Sequence, residues 1–405
     1  MSGDTKGPRE AYLVEAVQRA CDIIQAFESG EELLRLRDLA ARTGMNKTTA
    51  FRTLATLVQR GFVERVGPHQ YRPRIRSVRP RRFRIGYCSL GSGVSFSRDV
   101  TESIVRVAEE ENVDLRVLDN ACSPAAALRN ARTLVGEKVD LVMEHQADEG
   151  AITESADVYL EAQIPMIGIH MPRPGASYFG PDNHRGGQLA GRYAGKWAKL
   201  QWEGCVDHVL LVEHRKAGLF LRSRLTGALI ALKRMIPEID NSKVTVVDGH
   251  GDYERSLISV RKFLRHRKNV GRTIIFGIDD ASAIGALRAF EEAGLVRECA
   301  AVGYGGSFEA RAEMRRHETR LIASVGCFPE RYGDALLPLA IRLLTNRPAP
   351  PATFVPTCLI TPQDVDHYYP NDVLRNDTEL TTLLLGGTLR QSADAPMLAR
   401  AGRLR

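Results

Sequence analysis

Apolar residues in the first part of the chain recur at helical spacing. In "EAVQRACDIIQAF", Ile23, Ile24 and Phe27 lie on one face, which predicts a helix. "RLRDLAARTG" and "KTTAFRTLATLVQRG" predict two more helices, each ending at a glycine. Two short helices that meet in a tight turn containing glycine form a helix-turn-helix. "FVERVGPHQYRP" then alternates around a Gly-Pro turn and predicts a hairpin, so we expect a winged helix-turn-helix.

From Phe83 onward the pattern changes, and short apolar runs alternate with amphipathic helical segments. The strand-like runs include "RIGYCS", "DLRVLD", "VDLVMEH", "IPMIGIH", "HVLLVEH", "KVTVVDG", "TIIFGIDD" and "CAAVGYGG". This alternation predicts a doubly wound parallel sheet. The segment is long for one sheet, so we expect an α/β domain with two similar lobes. In such folds ligands bind beyond the carboxyl ends of the strands.

These patterns divide the chain of 405 residues into four parts. We expect a winged helix-turn-helix over residues 11–74, a basic linker over 75–82, an effector domain over 83–368 and a flexible tail over 369–405. No apolar run is long enough for a transmembrane helix, and the N-terminus lacks the pattern of a secretory signal. We therefore expect a cytoplasmic protein without a membrane partner.

Charge and cysteine usage narrow the functional classes. The formal net charge is +7, and the segment from Arg65 to Arg84 carries eight arginines and no acidic residue. A basic stretch of this kind is typical of nucleic-acid binding, although it also occurs as a solvated face. The seven cysteines and ten histidines show no metal-ligand spacing, so we expect neither a metal nor another cofactor.

The third helix and the hairpin supply the candidate DNA contacts. Asn, Lys, Arg and Thr side chains on a helix in the major groove can bond to base edges and phosphates. The segment "VQRACDIIQAF…LRLRDLAARTGMNKTTAFRTLATLVQRGFVERV…YRP" resembles the winged helix-turn-helix of IclR-type regulators. This resemblance implies binding to double-stranded operator DNA as a dimer or tetramer. The implied contacts lie in the recognition helix and around the wing: Asn46, Lys47, Thr48, Thr49, Phe51, Arg52, Arg65, His69 and Arg72.

Two enzymatic interpretations of the second domain fail on their motifs. Gly91 and Gly93 follow a strand, and Asp119 ends the next one, as in a dinucleotide-binding site. Phe96, however, stands where that fingerprint needs a small residue for close packing of helix on strand. A hydrolase needs a nucleophile elbow, and neither "GGSFEA" nor "GSGVS" fits one. We therefore expect no catalytic residues.

The second domain resembles type I periplasmic binding proteins and the effector domains of LacI-type repressors. "RIGYCSLGSGVSFSRDVTES", "YFGPDNHRGGQLAG", "LRSRLTGAL", "FGIDDASAIGALRAFEEAG", "AVGYGGS" and "LIASVGCFPERYG" carry this resemblance, in the family's order. It implies a small polar effector, a sugar or sugar derivative, held between two lobes. The implied ligand residues are Phe96, Ser97, His170, Arg224, Tyr253, Asp279, Gly305 and Cys327.

Two of these positions depart from the family's pattern, since Gly305 and His170 stand where acidic residues are common. Fewer acids near Arg224 would favour an anionic effector such as a sugar acid or sugar phosphate. Together the two domains predict a transcriptional regulator whose DNA affinity responds to a metabolite. The alternative is a solute-binding or transport-linked sensor that does not bind DNA.

Overall fold

The computed structural model describes residues 14–28, 32–74, 82–267 and 270–372. The chain divides into two compact units, Met1–Arg82 and Phe83–Arg405. Most of the expected linker, residues 75–81, and the tail from residue 373 lie outside the described residues. Within the described ranges, no helix combines the length and the apolar character needed to cross a membrane.

The first unit is a winged helix-turn-helix, as predicted. Its elements in chain order are α1 (Glu15–Gln25), β1 (Leu34–Arg35), α2 (Leu36–Thr43), α3 (Lys47–Gln59), β2 (Val63–Arg65) and β3 (Gln70–Pro73). Gly44 ends α2 in the left-handed conformation, with φ 67°, which lets the chain turn tightly into α3. Ile23, Leu39 and Leu54 are completely buried or nearly so and join the three helices in one core.

The wing is a three-stranded antiparallel sheet rather than a simple hairpin. β2 and β3 form the predicted hairpin, and β1 pairs with the other side of β3. The two residues of β1 are too few to show a period in the sequence, so this strand was not predicted. It ties the start of α2 to the wing.

The second unit begins with five parallel strands and the helices between them. These elements are β4 (Arg84–Ser89), α4 (Ser95–Glu110), β5 (Asp114–Asp119), α5 (Pro124–Gly136), β6 (Leu141–His145), α6 (Glu149–Glu161), β7 (Met166–Ile169) and β8 (Ala176–Pro181). The central strands are short and largely buried because helices cover both faces of the sheet, whereas β5 at the edge carries Asp114, Arg116 and Asp119. This sheet forms the N-lobe.

The chain then crosses into the C-lobe, which repeats the same design. Its elements are α7 (Asn183–Trp202), β9 (His208–Glu213), α8 (Gly218–Met235), β10 (Val244–Asp248), α9 (Tyr253–His266), β11 (Thr273–Gly277), α10 (Asp280–Glu292), β12 (Cys299–Gly305), α11 (Phe308–Met314) and β13 (Leu321–Gly326). The two sheets have equivalent strand orders, β5-β4-β6-β7-β8 and β10-β9-β11-β12-β13.

Two further crossings complete the lobes. After β13 the chain passes into α12 (Tyr332–Leu344), which packs on α4, and then into β14 (Ala352–Val355), which extends the first sheet beside β8. It returns to add β15 (Cys358–Ile360) antiparallel to β13, and α13 (Val365–Tyr368) follows. The two-lobed architecture with doubly wound sheets confirms the predicted fold class.

The segment after α13 corrects one expectation. We expected a flexible tail from residue 369, but the described residues up to 372 are packed against the C-lobe. Asp372 is buried and forms an ion pair of 2.5 Å with buried Arg311. The Arg311 guanidinium lies 3.9 Å above the ring of Tyr369, which stacks on Phe328 where the chain leaves β13. The sequence pattern missed this segment because contacts of Tyr369 and Asp372, and no periodic run of apolar residues, hold it in place.

Candidate functional site

The outer face of α3 has the character of a DNA-reading surface. Its inner face is buried through Ala50, Leu54 and Leu57, so the residues between them face outward. Lys47, Thr48, Phe51 and Arg52 are exposed, and Thr49 is half-buried. Asn46 has a structural task, because its Oδ1 accepts the Thr49 N–H at 2.8 Å and caps the helix.

Two of the predicted DNA-contact residues bind other residues of the wing through their side chains. The Arg65 guanidinium donates to the carbonyls of Gly67 and Pro68, which stiffens the turn of the wing. Arg72 forms an ion pair with Glu64 on the neighbouring strand. His69 is exposed at the turn. Neither pairing was visible in the sequence, because both depend on the strands folding back on each other.

A cavity of about 820 Å³ lies between the two lobes, at the carboxyl ends of their strands. Seven of the eight predicted ligand residues line it: Phe96, His170, Arg224, Tyr253, Asp279, Gly305 and Cys327. Ser97 does not line it. This residue points into the protein, where its Oγ accepts the Gly91 N–H at 3.3 Å and holds the loop after β4.

Arg224 is held at the cavity by a close helix crossing. A Cβ at Gly187 or Gly191 of α7 would lie 2.0 Å from a backbone oxygen of α8, so only glycine permits this approach. Arg224 is 6% exposed, and it donates to Asn183 Oδ1 at 2.8 Å and to the Ile278 carbonyl at 3.0 Å. Its Nη2 is buried without a hydrogen-bond partner among the described residues, which leaves the two N–H groups of Nη2 for a ligand.

Aromatic and imidazole rings cover the N-lobe side of the cavity. The rings of Phe96 and His145 lie 5.1 Å and 5.2 Å from the ring of His170, and 6.4 Å from each other. His170 Nε2 is 2.6 Å from the Tyr332 hydroxyl, at the start of α12. Burial lowers the pKa of His145 to about 3 and that of His170 well below its ordinary value. Both rings are therefore neutral at physiological pH.

The missing acid at Gly305 is supplied from elsewhere, which corrects an inference from the sequence. The carboxylate of Asp280 lies 3.0 Å from the place a Gly305 Cβ would occupy. Its oxygens accept the Ser307 N–H at 2.7 Å and the Ser324 hydroxyl at 2.5 Å. Burial raises the pKa of Asp280 to about 6, and the hydrogen bonds from Ser324 and Ser307 offset the loss of hydration only in part. Acidity is thus retained in this part of the cavity.

Residues that the sequence analysis did not select also line the cavity. His145, His214 and His250 stand at or just after the ends of β6, β9 and β10, and Gln146 follows His145. Burial lowers the pKa of His214 as well. Each of three separate strands is followed closely by, or ends in, a histidine, and this repeated position in the sequence could have predicted that these residues meet at one cavity. No group of three or more metal-ligating side chains is assembled by the residues that the structure describes.

Several carboxylates in the lining serve as helix caps. Asp148, Asp252 and Asp279 each accept a backbone N–H with one oxygen, at 3.0, 2.9 and 2.8 Å respectively. Each leaves its second oxygen available to a ligand hydroxyl. Capping orients these carboxylates firmly at the mouth of the cavity.

The last two predicted residues differ in their surroundings. Tyr253 is half-buried at the start of α9 and lines the cavity. Cys327 is 1% exposed, and burial raises the pKa of its thiol to about 12. A buried protonated thiol behaves as a small apolar group, so this position shapes the cavity.

Direct contacts join the lobes at the rim of the cavity. The Ser95 hydroxyl, on α4 of the N-lobe, donates to Glu309 Oε2, on α11 of the C-lobe, at 2.5 Å. Nearer to the crossings, the Tyr178 ring of the N-lobe lies 5.3 Å from the Phe220 ring of the C-lobe. A ligand held in the cavity would touch both lobes. The ligand and these contacts would therefore both affect how the two lobes are arranged.

Comparison with solved structures shows the same two-lobed fold in sugar-binding proteins. A galactofuranose binding protein is 18% identical, with 72% of this chain and 98% of that chain covered and a TM-score of 0.61. An ABC transporter solute binding protein from Bacillus halodurans C-125 with bound myo-inositol is 17% identical (71% and 97% covered, TM-score 0.59). The arabinose-binding component from Shewanella sp. ANA-3 is 15% identical (73% and 97% covered, TM-score 0.61).

A search of the curated proteins found no match. Two family models match this chain, one in each unit. The model described as "Periplasmic binding protein domain" matches residues 85–348, and "IclR helix-turn-helix domain" matches residues 16–67. Both resemblances stated from the sequence are confirmed. The chain therefore belongs to the periplasmic binding protein domain family and carries an IclR helix-turn-helix domain at its N-terminal side.

Proposed function

We propose that this protein is a DNA-binding transcriptional regulator whose DNA affinity is set by a small polyhydroxylated effector. One observation carries the proposal: a winged helix with an exposed cationic recognition face is joined in one chain to a cavity between two lobes. A solute-binding protein that only delivers its ligand has no use for the first unit. A DNA-binding protein without an effector has no use for the second.

The lining of the cavity favours a sugar or another neutral polyol. Five carboxylates and three cations line it, and the buried histidines are neutral. Hydroxyl groups can donate to the cap carboxylates and accept from Arg224 Nη2, whereas an anion would meet a surplus of negative charge. The anionic effector suggested by the sequence loses its support, because Asp280 restores the acid that Gly305 lacks. The ligands of the similar structures, galactofuranose, myo-inositol and arabinofuranose, belong to the same chemical class.

The regulatory mechanism we propose is an equilibrium between two lobe arrangements. The effector stabilises the closed arrangement by bonding to both lobes at once. Closure changes how two copies of the chain pair, and this alters the spacing of their recognition helices. Half-sites on the operator lie about one helical turn or a multiple apart, so spacing controls affinity. By linkage, DNA must change effector affinity by the same factor that effector changes DNA affinity.

The DNA-binding part is tested by fluorescence anisotropy on genomic fragments selected by the protein. Arg52 makes no side-chain hydrogen bond or ion pair with the described residues, so Arg52→Ala leaves the fold intact. We expect weaker binding and a log–log salt slope smaller by about 1, because one phosphate contact is lost. Arg116→Ala, which removes an exposed arginine of the second unit, is the matched control and should change neither. Binding indifferent to salt would instead support the solute-binding alternative.

The effector-binding part is tested by a thermal-shift panel of neutral sugars and inositols beside their acid and phosphate forms. We expect stabilisation by members of the neutral set. Anisotropy is then repeated with the best compound, which must shift the Kd for DNA. If only the acid or phosphate forms stabilise the protein, the effector is an anion and not a neutral polyol. A tight ligand with no effect on DNA affinity would show that the two units are not coupled.

A further inference from the structure

The recognition helix carries a large apolar side chain that its own fold does not cover. Phe51 is 54% exposed, although the core beneath α3 is complete without it. It lies one turn from Thr48 and Ala55 on the outward side of the helix, and all three are exposed. These residues form an apolar strip of a phenyl ring and two methyl groups.

A polar strip runs beside the apolar one. Arg52, Thr56 and Gln59 are exposed on the adjacent outward side of α3, and Lys47 is exposed at its start. The helix therefore presents cations and hydrogen-bonding groups next to a phenyl ring. Cations favour a polyanion as the partner of this face, and double-stranded DNA is the polyanion whose major groove accepts a helix.

The major groove of DNA offers one apolar group at its base edges, the C5-methyl of thymine. We propose that Phe51 packs against a thymine methyl group in each operator half-site, with Thr48 and Ala55 beside it. The proposal rests on the proposed DNA-binding function and adds a base preference to it. Phe51 thereby specifies sequence, while Lys47 and Arg52 supply affinity through phosphates.

Removal of the methyl group alone tests the proposal. In a fragment bound by the full chain, each thymine of a half-site is replaced in turn by deoxyuridine, which keeps every hydrogen-bonding group. We expect one replacement per half-site to weaken binding roughly fourfold, as for exposure of one buried methyl-sized group. In the Phe51→Ala variant, the same replacement should not change the affinity. In Phe51→Leu, the replacement should weaken binding, but by less than in the wild type.

Controls separate this inference from the function on which it rests. Phe62→Ala removes another exposed phenyl ring of the same unit, outside α3, and should leave the deoxyuridine effect unchanged. Circular dichroism checks that each variant stays folded, which the exposure of Phe51 leads us to expect. Equal binding of thymine and deoxyuridine fragments, or a deoxyuridine effect that survives in Phe51→Ala, would overturn the proposal while DNA binding stands. Absence of salt-dependent binding to any fragment would overturn the proposed function itself.

Discussion

The buried carboxyl of Asp280 makes the stability of the second unit depend on pH. Asp280 is 2% exposed, and burial raises its pKa from 3.8 to about 6. Between these two values the folded chain holds a proton that the unfolded chain has released. Raising the pH through this window therefore lowers the free energy of unfolding, by about 3 kcal/mol in total. Above pH ~6 the contribution is constant.

Asp280→Asn removes this titration while keeping the shape of the side chain. The amide oxygen can accept the Ser307 N–H, and the amide nitrogen can donate to the Ser324 hydroxyl. Relative to wild type, the variant should gain about 3 kcal/mol of stability between pH ~4 and pH ~7. The assay is urea unfolding followed by tryptophan fluorescence, which reports this unit alone because Trp197 and Trp202 both lie in α7. A difference between variant and wild type that is the same at both pH values would refute the reasoning.

Further substitutions test the packing around the cavity and the C-terminal segment. Gly305→Asp puts a second carboxylate beside Asp280 on a backbone with φ 135°, and should destabilise the second unit by about 2–4 kcal/mol at neutral pH. Adding Asp280→Asn should recover part of that loss, and purely additive effects would contradict a direct contact. Asp372→Ala leaves the buried Arg311 charge without its acid and should cost about 3–5 kcal/mol in urea unfolding. Asp366 forms an ion pair with Arg315 in which its side chain is 66% exposed, so Asp366→Ala should lower the free energy of unfolding by at most about 1 kcal/mol. Equal losses in the two variants would show that burial of the ion pair does not determine its contribution.

Most helices and strands of both units followed from the sequence, since they leave local periods of apolar residues. The helix-turn-helix was recognisable from three amphipathic segments, with Gly44 marking the turn. The second unit was recognisable because apolar strand runs alternate with helices along its whole length. Arg224 was selected from a motif of the resembling family, and the structure places it in the lining of the cavity. Each of these signals lies within a short stretch of chain.

The arrangement of the site depended on contacts between distant stretches, which leave no local period. Asp280 compensates for Gly305 only because β11 and β12 pair side by side and bring the two residues together. His145 and His214 come to one cavity because the lobes face each other across the crossings. Ser97 does not line the cavity, because the loop after β4 takes up its hydroxyl.

The sequence by itself therefore determined the two kinds of unit, their order and several of the residues that line the cavity. Only the tertiary structure decided which of those side chains face the cavity and which are already engaged. The physical reason is that periodicity reports the burial of each segment separately. Charge balance and hydrogen-bond partners in the cavity depend on side chains that strand pairing and lobe crossings bring together.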